Sequence, residues 1–184
     1  MHTMTETPDA TADAIDVDDL VAADAGPDVP ELDPEAALLC ALLHTVETDQ
    51  ARNVTEHLEE ADVLNPRYAD LFRVIAELAS AGEQHHATRV LAALRGAGRL
   101  SGHHGKLLAD ALQTVALLGT PAVGLATLAA DVLDAAYRRR FAAAAHSLVR
   151  ASAEAPTDEL MALMVEQGRK VRAHDNRRQA LTGQ

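Results

Sequence analysis

The sequence predicts an all-α fold: a small helical bundle followed by a long antiparallel helical hairpin. Three observations carry this. A residue able to cap a helix precedes proline three times, at Asp33-Pro34, Asn65-Pro66 and Thr120-Pro121. Proline fits the first helical position, where its missing N–H has no partner to lose. From residue 34 onward, apolar residues recur at helical spacing, and no segment of note alternates with the period of two that a strand requires. The chain is 48% apolar, supplied mainly by Ala, Leu and Val, with only two Tyr, two Phe and no Trp. Such a core is built from thin, closely spaced helices.

The elements follow in order. A first helix runs from Pro34 to about Val46, with Leu38, Leu39, Leu42 and Leu43 facing inward. A short second covers about Gln50 to Glu60 and buries Val54 and Leu58. The third starts at the Asn65 cap, carries Leu71, Phe72, Ile75, Leu78 and Ala79 on one face, and stops at Gly82. A fourth spans about Ala87 to Arg95, using Val90, Leu91 and Leu94. Glycines at 96, 98, 102 and 105 mark the 96–105 segment as a loop. A fifth helix, about Lys106 to Leu118, places Leu107, Leu108, Ala111, Leu112 and Val115 together. The sixth is long, from Pro121 to about Ala151, with the stripe Leu125, Leu128, Val132, Ala136, Phe141, Ala145 and Leu148. At 1.5 Å per residue it reaches ~45 Å, longer than a compact domain of this size needs. The seventh begins after Thr157, and Leu160, Leu163, Met164, Gln167 and Val171 trace its apolar side. Joined by a short turn containing Pro156, these two helices form the hairpin. Five small helices cannot cover both its faces, and the leftover apolar surface implies self-association.

Charge divides the chain. Residues 1–35 carry eleven acids and no Lys or Arg, while residues 36–184 carry seventeen acids and sixteen bases. The pI near 5.0 therefore describes the N-terminal segment, and the body is nearly neutral. Residues 1–32 read as an acidic disordered tail. Within it, Ile15, Val17, Leu20 and Val21 are spaced among acids, in the manner of a short partner-binding motif. Residues 33–173 form the helical domain (33–119 globular, 120–173 hairpin), and residues 174–184 read as a basic flexible C-terminus.

Catalytic and cofactor chemistry finds little purchase. Gly98 to Lys106 superficially resembles a phosphate loop, but Leu100 stands where the first Gly belongs and Leu107 where Ser or Thr would hold magnesium. No strand precedes it. His85-His86 and His103-His104 flank the fourth helix, yet adjacent His side chains on a loop do not aim at one ion, and no Cys joins them. The expectation is no catalytic residue, no cofactor and no metal. Cys40 lies on the apolar face of the first helix and reads as a small buried hydrophobe. A single Cys allows no disulfide within the chain, which fits a reducing cytoplasm. No apolar run approaches the ~20 residues needed to span a bilayer, and the first residues have no signal-peptide pattern. Bases cluster at Arg138-Arg139-Arg140, read as a solvated helix face, and at Arg169, Lys170, Arg172, Arg177 and Arg178. The second cluster could contact nucleic acid through phosphates, without the aromatic platform that single-strand binders use.

Several segments together resemble one family. Asp62, Pro66, Arg67, Phe72 and Gly82 match the third helix of the N-terminal (collar) domain of DnaB-type replicative helicases, with Val63, Leu64 and Tyr68 departing from its usual residues. Glu35 to Leu43 resembles that domain's opening "E-x-x-x-L-G-x-L-L", and Ala87 to Leu100 its "T-L-x-x-x-L-x-x-x-G-x-L". Val132, Ala136 and Arg139 fit the long helix that follows, so the likeness runs over about residues 34–172. The resemblance implies a non-catalytic protein-interaction module of DNA replication, a stand-alone copy without the ATPase domain. It implies a homodimer formed by the hairpin, docking to a replicative helicase, primase or helicase loader. The suspected dimer interface is Leu128, Val132, Tyr137, Phe141, Leu148, Leu160, Leu163 and Met164. The alternative is a small DNA-binding accessory protein that uses its basic C-terminal residues.

Overall fold

The computed structural model describes residues 33–119 and 124–183. The acidic 1–32 segment and the Thr120-Pro121 helix signal lie outside them. Among the described residues there are seven α-helices, one 3-10 turn and no strand, as the apolar spacing predicts.

Side-chain caps set two of the α-helix starts. Asp33 accepts the Glu35 N–H at 2.9 Å and begins α1 (Pro34–His44). This helix is apolar nearly all round and buried along its length, so it runs through the middle of the bundle. After α2 (Thr48–His57), a 3-10 turn spans Glu60–Asp62. Asn65 accepts the Arg67 N–H at 3.0 Å at the head of α3 (Pro66–Ser80). Gly82 ends that helix at φ 71°, a left-handed conformation that L side chains rarely adopt. Its N–H donates to Ala79 and that of Glu83 to Leu78, the paired closure of a Schellman motif.

Helix α4 (Ala87–Gly96) leads by a short loop into α5 (Gly102–Leu117). The expected 96–105 loop is therefore too long, because α5 begins at Gly102 and takes in His103, His104 and Gly105. Gly105 has a packing reason: a Cβ there would stand 2.2 Å from the Leu100 carbonyl carbon. Phe72, Leu71 and Ile75 of α3 meet Leu38, Leu39 and Leu42 of α1, Leu94 of α4 and Leu108 of α5 in one core.

Two long helices complete the chain, α6 (Leu125–Glu154) and α7 (Leu160–Thr182). They run antiparallel: Ser147 meets Gln167, whereas Leu133 meets His174 and Asp134 meets Arg178. The first turns of α6 enter the core through Leu128, Ala129, Val132, Leu133 and Ala136, and no residue of α6 beyond Ala136 is buried. On α7 only His174 is buried. The helix continues past 173 to Thr182 rather than ending there. His174 and Leu181, which packs against the core, give residues beyond 173 a place in the bundle. Among the described residues no helix is long and apolar enough to cross a membrane.

Candidate interaction surface

The hairpin is fastened at its base by one carboxylate. Asp62 is fully buried at the end of the 3-10 turn. Its Oδ2 accepts the Glu59 N–H at 2.8 Å and Arg177 Nη1 at 2.6 Å. Its Oδ1 accepts Arg140 at 3.0 Å and the second Arg177 nitrogen at 3.3 Å. Arg139 donates to the Asp62 carbonyl at 2.6 Å, and Arg177 also reaches the His57 carbonyl at 3.1 Å. Guanidiniums from α6 and α7 thus converge on the turn before α3. Burial alone would raise the Asp62 pKa. The Arg177 hydrogen bonds, the Glu59 N–H and the charges of Arg177 and His174 outweigh it and hold the carboxyl below its usual value.

His174 joins this cluster. Its Nε2–H donates to the Leu133 carbonyl at 3.0 Å, and Nδ1 lies 2.9 Å from Arg177 and 3.3 Å from Asp62. Nearby, Glu35 of α1 accepts the N–H groups of Leu64 and Asn65 at 2.6 and 3.0 Å, with Arg139 at 3.9 Å. Desolvation of the buried Glu35 carboxyl pushes its pKa up, beyond what the two N–H donors take back. The opening Glu of the sequence motif therefore holds the chain segment that enters α3.

Beyond this base the hairpin's free end is apolar and open. Phe141 is 59% exposed, Met161 63% and Met164 48%, with Val149 and Val165 also exposed. A groove of about 610 Å³ runs between the helices, walled by Tyr137, Phe141, Ala144, Ala145 and Leu148 of α6 and by Met164, Gln167, Gly168, Val171 and Arg172 of α7. Tyr137 is held from within its own chain. Its ring stacks on His174 at 5.8 Å, and the Arg178 guanidinium sits 5.7 Å from its centroid. Phe141 lies 6.3 Å from Tyr137, centroid to centroid, and faces outward.

The structure redistributes the suspected residues. Leu128 and Val132 are corrected to intrachain core, being 6% and 1% exposed against α1 and its neighbours. Leu148, Leu160 and Leu163 are half-buried on the hairpin, while Phe141 and Met164 are its open apolar positions. The Arg138–Arg140 run is not one solvated face: Arg139 and Arg140 turn in to Asp62, and Arg138 alone is exposed. Of the C-terminal bases, Arg177 is committed to Asp62, and Arg178 pairs with Asp134 at 3.3 Å and Asp175 at 3.1 Å. Lys170 pairs with Glu166 along its own helix, leaving Arg169 and Arg172 exposed.

Sequence reasoning missed Asp62 as a hub, because its partners lie 78 and 115 residues away. Cys40 behaves as expected: it is buried, its Sγ donates to the Leu118 carbonyl at 3.2 Å, and burial pushes its pKa up. His44 and His57 donate to the carbonyls one turn back, of Cys40 and Asn53. His86 pairs with Thr88 and His104 with Asp70, while His85 is buried against the Glu83 carbonyl. Among the described residues no group of three or more His, Cys, Asp or Glu is placed to hold a metal ion.

Four helices around the central α1, carrying a protruding hairpin, define an α-helical module that presents a surface rather than an enclosed pocket. The family model of the DnaB-like helicase N-terminal domain matches residues 29–120, half of the chain, and the chain belongs to that family. The match takes in α1 to α5 and stops before the hairpin. No curated protein matches the chain, and no solved structure does.

Proposed function

We propose that this chain is a protein-interaction module of DNA replication that pairs with a second copy through the free end of its hairpin and docks to a replicative helicase, primase or helicase loader. The observation that carries this reading is the open apolar end of α6 and α7 on a member of a helicase-associated family. Phe141, Met161 and Met164 are large apolar side chains about half or more exposed, beside a groove lined by both apolar and polar side chains. Contiguous exposed apolar surface of this kind marks an interaction site. The role is non-catalytic: the Asp62 and Glu35 clusters are spent on fastening the hairpin and the entry to α3. Cytoplasmic residence follows from that role. A DNA-binding reading is weakened by Arg177 and Arg178, whose charges are already met by buried or adjacent carboxylates.

Sedimentation of the full chain across tens of micromolar tests the pairing. A concentration-dependent dimer that Phe141→Asp converts to a helical monomer is the expected result. Monomer throughout, for the full chain and for the chain lacking residues 1–31 alike, rejects the dimer. Pull-down with purified replicative helicase, primase and loader tests the docking, and absence of binding to all three rejects that part.

A further inference from the structure

The hairpin groove and the acidic N-terminal segment are matched in charge, apolar content and reach. The groove's apolar side chains are interleaved with Gln167, Asn176 and Gln179, and its lining carries one base, Arg172, and one acid, Asp175, which Arg178 pairs. Arg169 shares the flank of α7 with Val165 and Arg172, at spacings of four and three. Arg138 lies seven residues before Ala145, on the same flank of α6. All three arginines are in exposed positions, and none has an ion pair among the described residues. The acids closest in sequence are already paired, Asp134 and Asp175 with Arg178 and Glu166 with Lys170.

The stretch Asp13 to Asp24 offers the complement: Ile15, Val17, Leu20 and Val21 interleaved with Asp13, Asp16, Asp18, Asp19 and Asp24, and no base. The described chain begins at Asp33, two residues before Glu35, whose carboxylate lies 3.9 Å from Arg139 on α6. The described chain thus begins level with the turn of α6 that carries Tyr137 and Phe141, on the Arg139 side of that helix and not its groove side. Residues 22–32 reach about 36 Å when extended. That is enough to round a helix about 10–12 Å across and run along the groove. A tether this short holds its segment at about millimolar effective concentration, so a weak contact fills the site.

We propose that the Asp13–Asp24 segment of the same chain occupies the hairpin groove and so restrains self-association. This rests on the reading that a second copy pairs at the hairpin's free end, and it adds the regulation of that surface. Apolar side chains fill the groove while the aspartates face Arg138, Arg169 and Arg172. A second copy pairs only when the segment leaves. If each groove is filled about nine-tenths of the time, each protomer is about one-tenth competent and pairing is weakened about a hundredfold. Salt screens the charged part of the contact and relieves the restraint.

The test compares the full wild-type chain with the full chain carrying Ile15→Ser, Val17→Ser, Leu20→Ser and Val21→Ser. Hydroxyl-radical footprinting in dilute solution, below the concentration of self-association, reads the exposure of Phe141 and Met164 directly. The expected result is several-fold stronger labelling of both residues in the variant, independent of concentration, together with tighter self-association by sedimentation. High salt should bring the wild type toward the variant. Equal labelling of the two chains overturns the inference, whether or not they dimerise. A difference in labelling with neither chain dimerising keeps the segment in the groove, removes its regulatory part and rejects the pairing at the hairpin.

Discussion

Asp62 joins three parts of the chain that are far apart in sequence, so its substitution is felt well beyond the 3-10 turn. Asp62→Asn leaves Arg140 and Arg177 facing a neutral amide in a buried place, and breaking a buried pair in this way costs about 3–5 kcal/mol. Denaturant unfolding should show that loss at neutral pH. Because the folded-state pKa of Asp62 is lowered, its contribution is present above the unfolded value of about 3.9 and is lost as pH falls through the folded one. Wild-type stability should therefore drop below about pH 4, and the Asn variant should lack that component. Glu35 has the opposite sign. Its raised pKa makes its contribution largest at low pH and smaller as pH rises from about 4.3 through the folded value. Two glycines make a second contrast. Gly105→Ala forces a Cβ against the Leu100 backbone, and overpacking of this kind costs about 1–3 kcal/mol. Gly168→Ala meets open space on α7 and should gain about 1 kcal/mol from helix propensity. Opposite shifts in melting temperature check the pair.

Among the elements, the hairpin separates a structural aromatic from an exposed one. Phe141→Ala should leave the melting temperature nearly unchanged, since the ring is mostly in solvent, while shifting sedimentation toward monomer. Tyr137→Ala removes a ring held between His174 and Arg178 and should lower stability even in a monomer. Arg140→Ala belongs with the second class, because it takes one arginine from Asp62. These differences explain what was legible in the sequence. Starts and stops written within a few residues were readable: Asn65-Pro66 capped α3 and Gly82 closed it through bonds no more than five residues long. Apolar spacing also gave the seven helices and the antiparallel hairpin. It could not tell which part of the α6 stripe meets its own core, so Leu128 and Val132 looked like interface although α1 covers them. The arginine run looked solvated for a related reason. Its partner Asp62 is separated by a stretch that no local pattern spans. The glycine-rich 96–105 segment misled in another way, since Gly105 serves a close backbone approach inside a helix rather than a loop.

At the scale of the whole molecule, the N-terminal segment supplies most of the net charge of −12, and the body from residue 36 onward is close to neutral. That division makes the role of residues 1–31 separable from the fold. The described bundle closes its own core: Asp33 caps α1, and Glu35 already has the N–H groups of Leu64 and Asn65. Among the described residues, His85 Nε2 is the one buried side-chain nitrogen of this bundle without a hydrogen-bond partner. Deleting residues 1–31 should thus leave helical content and melting temperature nearly unchanged when measured in about 1 M salt, where charge contacts are screened to about 3 Å. A loss of several degrees under those conditions would place the segment against the core. At low salt the same deletion should act on association instead, because the contact it removes lies at the free end of the hairpin. Circular dichroism melts and sedimentation on one pair of samples, at both ionic strengths, distinguish an effect on the fold from an effect on the surface.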